Sequence, residues 1–399
     1  MIDSKRTVAH GHDGILTRGR RSASLRSAAA TRRLRIPCVS SAHFVRYGHG
    51  GILTPLPLGN TPRGETMEPQ KSVQLYLDHE SSRKAHQTVQ SYEYRLNHYL
   101  NWCEENDIDD ISDLTKDSVR EIEEYRRKPD PAKPTLKSFI DTLRLYLRFI
   151  HQYGYVESEL AEAAQSPDLR RKENVREDIV DSDEAHAILE KLDRFKYASR
   201  SHALILLLWR TGMRTGSIRS LDLADVDLEE QHLNINHRPE SDTPLKNQKD
   251  GERYVALSAE TCAVLRDYIE ENRRDVTDES GRKPLLTTKV GRIARNTIRK
   301  WSYRLTRPCW YSGECPHGRE LSECRASVER NDNYGYECPS AVSAHAWRRG
   351  AITHFLREDM PETIVSDRTN VSTDVLDRHY DKRTKKEKME QRRGYIDSV

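Results

Sequence analysis

No stretch of the 399-residue chain approaches the roughly 18 consecutive apolar residues that a membrane-spanning helix requires. The apolar core of a secretory signal is also missing, which makes the cytoplasm the expected compartment. Nor does the overall charge have a strong sign: 66 Lys and Arg face 63 Asp and Glu, a formal net of +3. A surface for nucleic acid would therefore have to come from local basic clusters. With 32% charged residues and a mean hydropathy of −0.85, the composition is that of a soluble, highly charged protein. Its length allows two or three domains with real cores.

Charge is unevenly placed. Residues 1–66 hold 11 Lys and Arg against 3 Asp and Glu, so the remainder is net acidic. This opening segment is rich in Arg, Ser, Ala, Gly and His and has no sustained helical or strand period. It reads as a basic disordered tail or as an over-extended start ahead of Met67, and its "TRGRRSASLRSAAATRRLRIP" also fits an Arg-rich transit peptide.

From residue 67 to 165 the pattern is helical. Val89, Tyr92, Leu96, Tyr99 and Leu100 recur at three- and four-residue spacing, as do Phe139, Leu143, Leu147 and Ile150. Asp113 and Thr115 are candidate caps, and Pro129, Pro131 and Pro134 interrupt the pattern, predicting a bundle of about four helices. Residues 166–180 are polar and read as a linker. A larger unit over 181–399 begins with a helix capped by Ser182, then an apolar helix ending at Gly212 and a hairpin over 232–257. The expected fold class is mainly α with a small antiparallel β-sheet.

Four fragments carry chemistry: "WRTGMRTG" with Arg214, "TPLKNQKDGERYVALS" with Lys246 and Lys249, "SAHAWRRG" with His345 and Arg348, and a lone Tyr380 ahead of a charged tail. A phosphodiester under attack gathers negative charge on its non-bridging oxygens. Two planar, permanently charged guanidiniums, Arg214 and Arg348, can clamp those oxygens. A hairpin lysine can protonate the departing 5′ oxygen, and His345, one helical turn before Arg348, can take the tyrosine proton or position the phosphate. Tyr380 would then attack phosphorus and conserve the bond energy in a covalent link. Taken singly, each residue has a plainer role as a helix cap, a solvated lysine, a surface pair or a packing tyrosine.

In this order the fragments resemble the tyrosine recombinases of the phage integrase family, over roughly residues 71–395. The resemblance implies two domains, a helical SAM-like core-binding domain at 67–165 and a catalytic domain at 181–399. It also implies double-stranded DNA as partner, a 3′-phosphotyrosine intermediate without ATP or catalytic cofactor, and a homo-tetramer on DNA assembled through the C-terminal tail. Lys246 matches the family lysine by its "LKN" context, with Lys249 the competitor. A type IB topoisomerase shares the chemistry, and a DNA-binding regulator that kept the fold and lost catalysis is a further alternative. One position departs from the family. The His or Trp usual some nine residues before the tyrosine is missing from "SDRTNVSTDVLDRHY", leaving Asn370, or else Arg368, to bond a phosphate oxygen.

Four of seven cysteines, Cys309, Cys315, Cys324 and Cys338, fall in one long polar window with His317 nearby. Such a window needs an anchor. A structural Zn2+ held by these thiolates over 309–338 is the expectation, steadying the start of the His345 helix in what resembles an archaeal-like member of the family.

Overall fold

The computed structural model describes residues 66–128, 130–170, 173, 178–327 and 334–396. Apart from Thr66, the basic segment 1–66 lies outside them, and so does Pro129. The described helices are predominant and the strands short, the mainly α class with small antiparallel sheets that the periodicity predicts. No helix among the described residues is long and apolar enough to cross a membrane.

The first hydrophobic core is built from α1 (Pro69–Ser81), α2 (His86–Glu105), α3 (Lys116–Arg127), α4 (Lys133–Gln152) and the short α5 (Ser158–Ala163), one helix more than predicted. Leu96, Tyr99, Phe139, Leu143, Leu147 and Ile150 are buried, while Val89, Tyr92 and Leu100 pack at the margin. Thr115 caps α3 through a reciprocal box with Ser118, whereas Asp113 belongs to a preceding 3-10 turn. Pro134 opens α4 instead of interrupting it, because a first-turn residue has no N–H to lose to the helix ladder.

A second core is organised by α6 (Ser182–Lys196) and α7 (Arg200–Thr211). Asp181, not Ser182, caps α6, its carboxylate accepting from the Glu184 N–H at 2.8 Å. Every residue from Ala203 to Trp209 is buried, so α7 is apolar all round, and it stops at Gly212 in the left-handed conformation (φ 61°). There follow α8 (Thr215–Ser220) and the strands β1 (Val226–Asp227), β2 (His232–Ile235) and β3 (Arg253–Ala256), ordered β1-β2-β3 with antiparallel pairing of Leu233 to Val255. Beyond come α9 (Ala259–Asp267), the two-residue strands β4 (Thr287–Thr288) and β5 (Gly291–Arg292), α10 (Arg295–Leu305) and α11 (Pro308–Tyr311). The chain ends in α12 (Ala344–Arg357), α13 (Glu362–Thr369), α14 (Thr373–Val375), a π-helical turn at Leu376–Tyr380, and α15 (Lys385–Ile396).

A buried ion network fixes the sheet against its neighbours. Arg238 forks onto Asp225 at 2.6 and 2.8 Å, and Arg292 bridges Asp222 (2.5 Å) and Asp278 (2.7 Å). Burial pushes the Asp225 carboxyl up, but the Arg238 and backbone hydrogen bonds prevail and hold it below its ordinary range.

α12 lies at the centre, burying Trp347, Arg348, Ala351, Ile352 and Leu356. The segment expected to end a linker is packed against it: Val180 donates to the Ala346 carbonyl at 3.3 Å, and Arg349 holds Asp178 at 2.8 Å. Gly350 is what permits this approach, since a Cβ there would collide with the Val180 carbonyl and meet the Trp209 ring at 3.2 Å. Gly350→Ala should therefore destabilise the protein by about 2 kcal/mol or more, although alanine is the better helix former by about 1 kcal/mol. The midpoint of urea unfolding measures it, and an unchanged midpoint refutes the clash.

Candidate active site

The last carbonyls of a helix have no partner within it and carry the negative end of its dipole. At the end of α13 every one is accounted for. Asn370, left-handed at φ 52°, and Val371 turn back to bond the Asp367 and Ser366 carbonyls. The next three carbonyls, of Arg368, Thr369 and Asn370, each accept from a different guanidinium: Arg253 Nε at 2.9 Å, Arg348 Nη2 at 2.9 Å and Arg214 Nη1 at 2.9 Å. Arg348 also donates to the Gly212 carbonyl at 2.6 Å, which ties it to the end of α7. Among the described residues none of these three arginines has a carboxylate within ion-pair distance. Backbone dipoles thus hold three cations in place without neutralising them. Arg348, 1% exposed, is lowered to about 10 chiefly by burial and remains charged at neutral pH.

Tyr380 reaches the same place from the π-helical turn. Its backbone carbonyl accepts from Thr353 of α12 at 2.7 Å, and its hydroxyl lies 3.4 Å from Arg348 Nε and 3.4 Å from His345 Nε2. Arg348 sits over its ring, 5.2 Å from the centroid. His345, second residue of α12, is solvent-exposed yet flanked by arginines. Desolvation, then the charges of Arg349, Arg348 and Arg214, lower it to about 4, so its ring is neutral at pH 7 and can accept a proton.

Lys246 is exposed in the β2–β3 turn and lines a cleft of about 1190 Å³ together with Arg214, Arg253 and Asn370; Arg83 and Lys84, from the α1–α2 loop, line it too. Lys249 is exposed but does not line the cleft. The turn is clasped to α13: Asn247 donates to the Asn370 side-chain oxygen at 2.7 Å, and Asn370 Nδ2 donates to the Asp250 carbonyl at 3.2 Å. The Asn370 amide, expected to bond phosphate, is therefore engaged at both ends with the hairpin. Arg368 is likewise engaged, donating to the Ala256 and Arg210 carbonyls at 2.8 Å each.

Arg214, His345, Arg348 and Tyr380 thus share one site with the hairpin lysine at its mouth. Sequence reasoning passed over Arg253. The available signal was register: Arg253 and buried Val255 fall on one face of β3, and an inward arginine without a nearby acid is unusual.

A zinc site at the cysteine-rich segment is not shown. Among the described residues no group of three or more His, Cys, Asp or Glu is disposed to hold a metal ion, and Cys309, Cys315, Cys324 and Cys338 are free thiols. They share a neighbourhood, since burial and then the other three sulfurs raise the Cys309 thiol against the pull of Arg307. One anchor of the segment is a guanidinium. Arg307, 2% exposed, donates to the Arg304 carbonyl at 2.9 Å and to that of Ala326. His317 adds a hydrogen bond to Ser340 at 3.1 Å.

A histidine lowered on folding binds its proton more readily when unfolded, so its effect on stability is neutral above pH 6.5 and unfavourable as pH falls toward 4. Relative to wild type, a His345→Gln variant should gain stability progressively across that window and show a constant difference above it. Urea unfolding at a series of pH values checks this; parallel curves throughout contradict it.

The sequence profile described as the phage integrase family matches residues 178–311, and the one described as the phage integrase N-terminal SAM-like domain matches residues 73–154. Between them they take in more than half of the chain. Tyrosine recombinase XerD of Staphylococcus epidermidis is 25% identical over 215 residues, 53% of this chain and 68% of that protein. A probable integrase/recombinase protein of Methanocaldococcus jannaschii is 22% identical over 237 residues, 59% of this chain and 68% of that one. Two solved structures share the fold at low identity. The Tn1549 transposon integrase in complex with a circular intermediate DNA gives a TM-score of 0.58 at 13% identity, covering 82% of this chain and 99% of that one. The lambda integrase tetramer bound to a Holliday junction gives 0.54 at 12%, covering 80% of each. With both matched segments present in order and the fold shared, the chain belongs to the phage integrase family of tyrosine recombinases.

Proposed function

We propose that this protein is a site-specific DNA recombinase that cuts and rejoins strands through a 3′-phosphotyrosine link. The observation that carries the reading is the Tyr380 hydroxyl, 3.4 Å from both Arg348 and His345 within one chain. In the proposed reaction the Tyr380 oxygen attacks phosphorus as its proton passes to neutral His345. Arg214 and Arg348 take up the charge that grows on the non-bridging oxygens. Lys246 protonates the O5′ as its bond to phosphorus breaks. The free 5′-hydroxyl of another strand then reverses these steps and releases the tyrosine, so no external energy source enters.

Tyr380 is only 6% exposed and does not line the cleft, so DNA entering the cleft must draw the π-helical turn outward. We assign residues 67–165 to core binding and 181–399 to catalysis, with double-stranded DNA in the cleft and the cytoplasm as the place of action. A tetramer on DNA is the proposed working assembly, as in the lambda integrase structure. For α15 to reach a neighbouring copy it must release contacts within its own chain, Lys388 to Asp381 at 2.8 Å and Gln391 to the Leu356 carbonyl at 2.7 Å.

A nicked suicide substrate tests the reading. Wild type should form an SDS-stable protein–DNA adduct, and Tyr380→Phe should lower its formation at least about a thousand-fold while gel-shift binding persists. DNA binding by wild type without any adduct would favour a regulator instead. A second test addresses the proton donor. Lys246→Ala should cut cleavage by about 10²-fold or more, a 5′-bridging phosphorothiolate, whose thiolate leaves unprotonated, should restore it, and Lys249→Ala should cleave normally. Loss on Lys249→Ala instead would transfer the role.

A further inference from the structure

The phosphate pocket holds one arginine more than the proposed reaction uses. Arg253 belongs to β3, the strand that returns from the turn bearing Lys246. Its Nε is fixed on the Arg368 carbonyl at 2.9 Å and its Nη1 on the Gly251 carbonyl at 2.8 Å. Its Nη2 makes no hydrogen bond among the described residues, and the side chain lines the cleft beside Arg214 and Lys246. It has no carboxylate partner there either. Desolvation, followed by the charges of Arg348, Arg214 and Arg368, lowers it to about 10, which places it within the field of the two clamp residues. Placing a third cation among these without an acid is unfavourable for the protein alone. An anion shared by all three reverses that balance.

Resting on the reading that this chain cleaves DNA, we propose that Arg253 is a third guanidinium on the scissile phosphate, its free Nη2 donating to a non-bridging oxygen. It would thereby fill the place left by the missing His or Trp before Tyr380, a role the Asn370 side chain cannot take while bonded to the hairpin at both ends. The contact comes from the hairpin strand and not from the segment before the tyrosine. The hairpin would then supply both the proton for the leaving group and part of the charge stabilisation, so that docking its turn against the end of α13 would complete the pocket.

The experiment compares single-turnover cleavage of three suicide substrates by full-length wild type, Arg253→Gln and Arg253→Lys. One substrate carries an ordinary scissile phosphate, the second a methylphosphonate at that position, which lacks one charged oxygen, and the third a methylphosphonate at a neighbouring phosphate. Arg253→Gln keeps a donor for the Arg368 carbonyl and removes the charge. It should bind DNA like wild type, cleave the phosphate about 10²-fold more slowly, and come within about ten-fold of wild type on the scissile methylphosphonate. Arg253→Lys, which keeps the charge and loses the fork, should fall between them. If the Gln variant does not fold, by thermal melt, the Lys variant carries the same comparison. Equal deficits on all three substrates would make Arg253 structural, and no deficit would make it dispensable. Recovery only with the methylphosphonate at a neighbouring position would make it a backbone grip. Each of these three outcomes overturns the proposal. Wild type failing to form an adduct would instead sink the underlying reading, so the two failures are distinguishable.

Discussion

Three carbonyls in succession at the end of α13, those of Arg368, Thr369 and Asn370, each fix one guanidinium, and the rest of the site is arranged around that contact. A carboxylate would hold an arginine more tightly, but it would also cancel its charge. A helix C-terminus offers oriented partial charges that position the cation and leave most of it free. The cost is chiefly desolvation, which lowers all three, and repulsion between neighbouring guanidiniums adds to it at Arg253 and Arg348. That cost is borne by the surrounding fold.

The scaffold is correspondingly stiff where it matters. α12 is buried on most of its circumference and carries Arg348 and Arg349 into the interior, with Gly350 admitting the Val180 backbone. Trp347 donates to Ser302 of α10 at 3.1 Å, and Thr353 holds the Tyr380 carbonyl. The Arg238, Arg292, Asp222 and Asp225 network does the same for the sheet that bears the hairpin. The hairpin turn itself is exposed and is joined to the site through Asn247 and Asn370. The arginines are thus held by packed elements, while Lys246 sits on an exposed turn.

The cysteine-rich segment is tied down by a side chain that the sequence reading did not single out. A long polar window does need an anchor, and clustered cysteines suggest a metal. Here buried Arg307 supplies one tie through backbone carbonyls, with the sulfurs gathered near it. The phage integrase profile match also ends at residue 311, where this segment begins, so α12 and Tyr380 lie beyond it.

Periodicity and motif order in the sequence were enough to determine the helical class, the caps at Thr115 and Gly212, and the grouping of Arg214, His345, Arg348 and Tyr380, because each rests on local spacing or on chemistry that only certain side chains perform. Whether Ser182 or Asp181 caps α6, whether Pro134 opens or interrupts α4, and what Asn370 does were decided by tertiary structure. So was the presence of Arg253 in the pocket. These depend on which groups meet across the chain: Arg253 and the Arg368 carbonyl are 115 residues apart, and no local pattern encodes a contact whose partner is a backbone atom on another element.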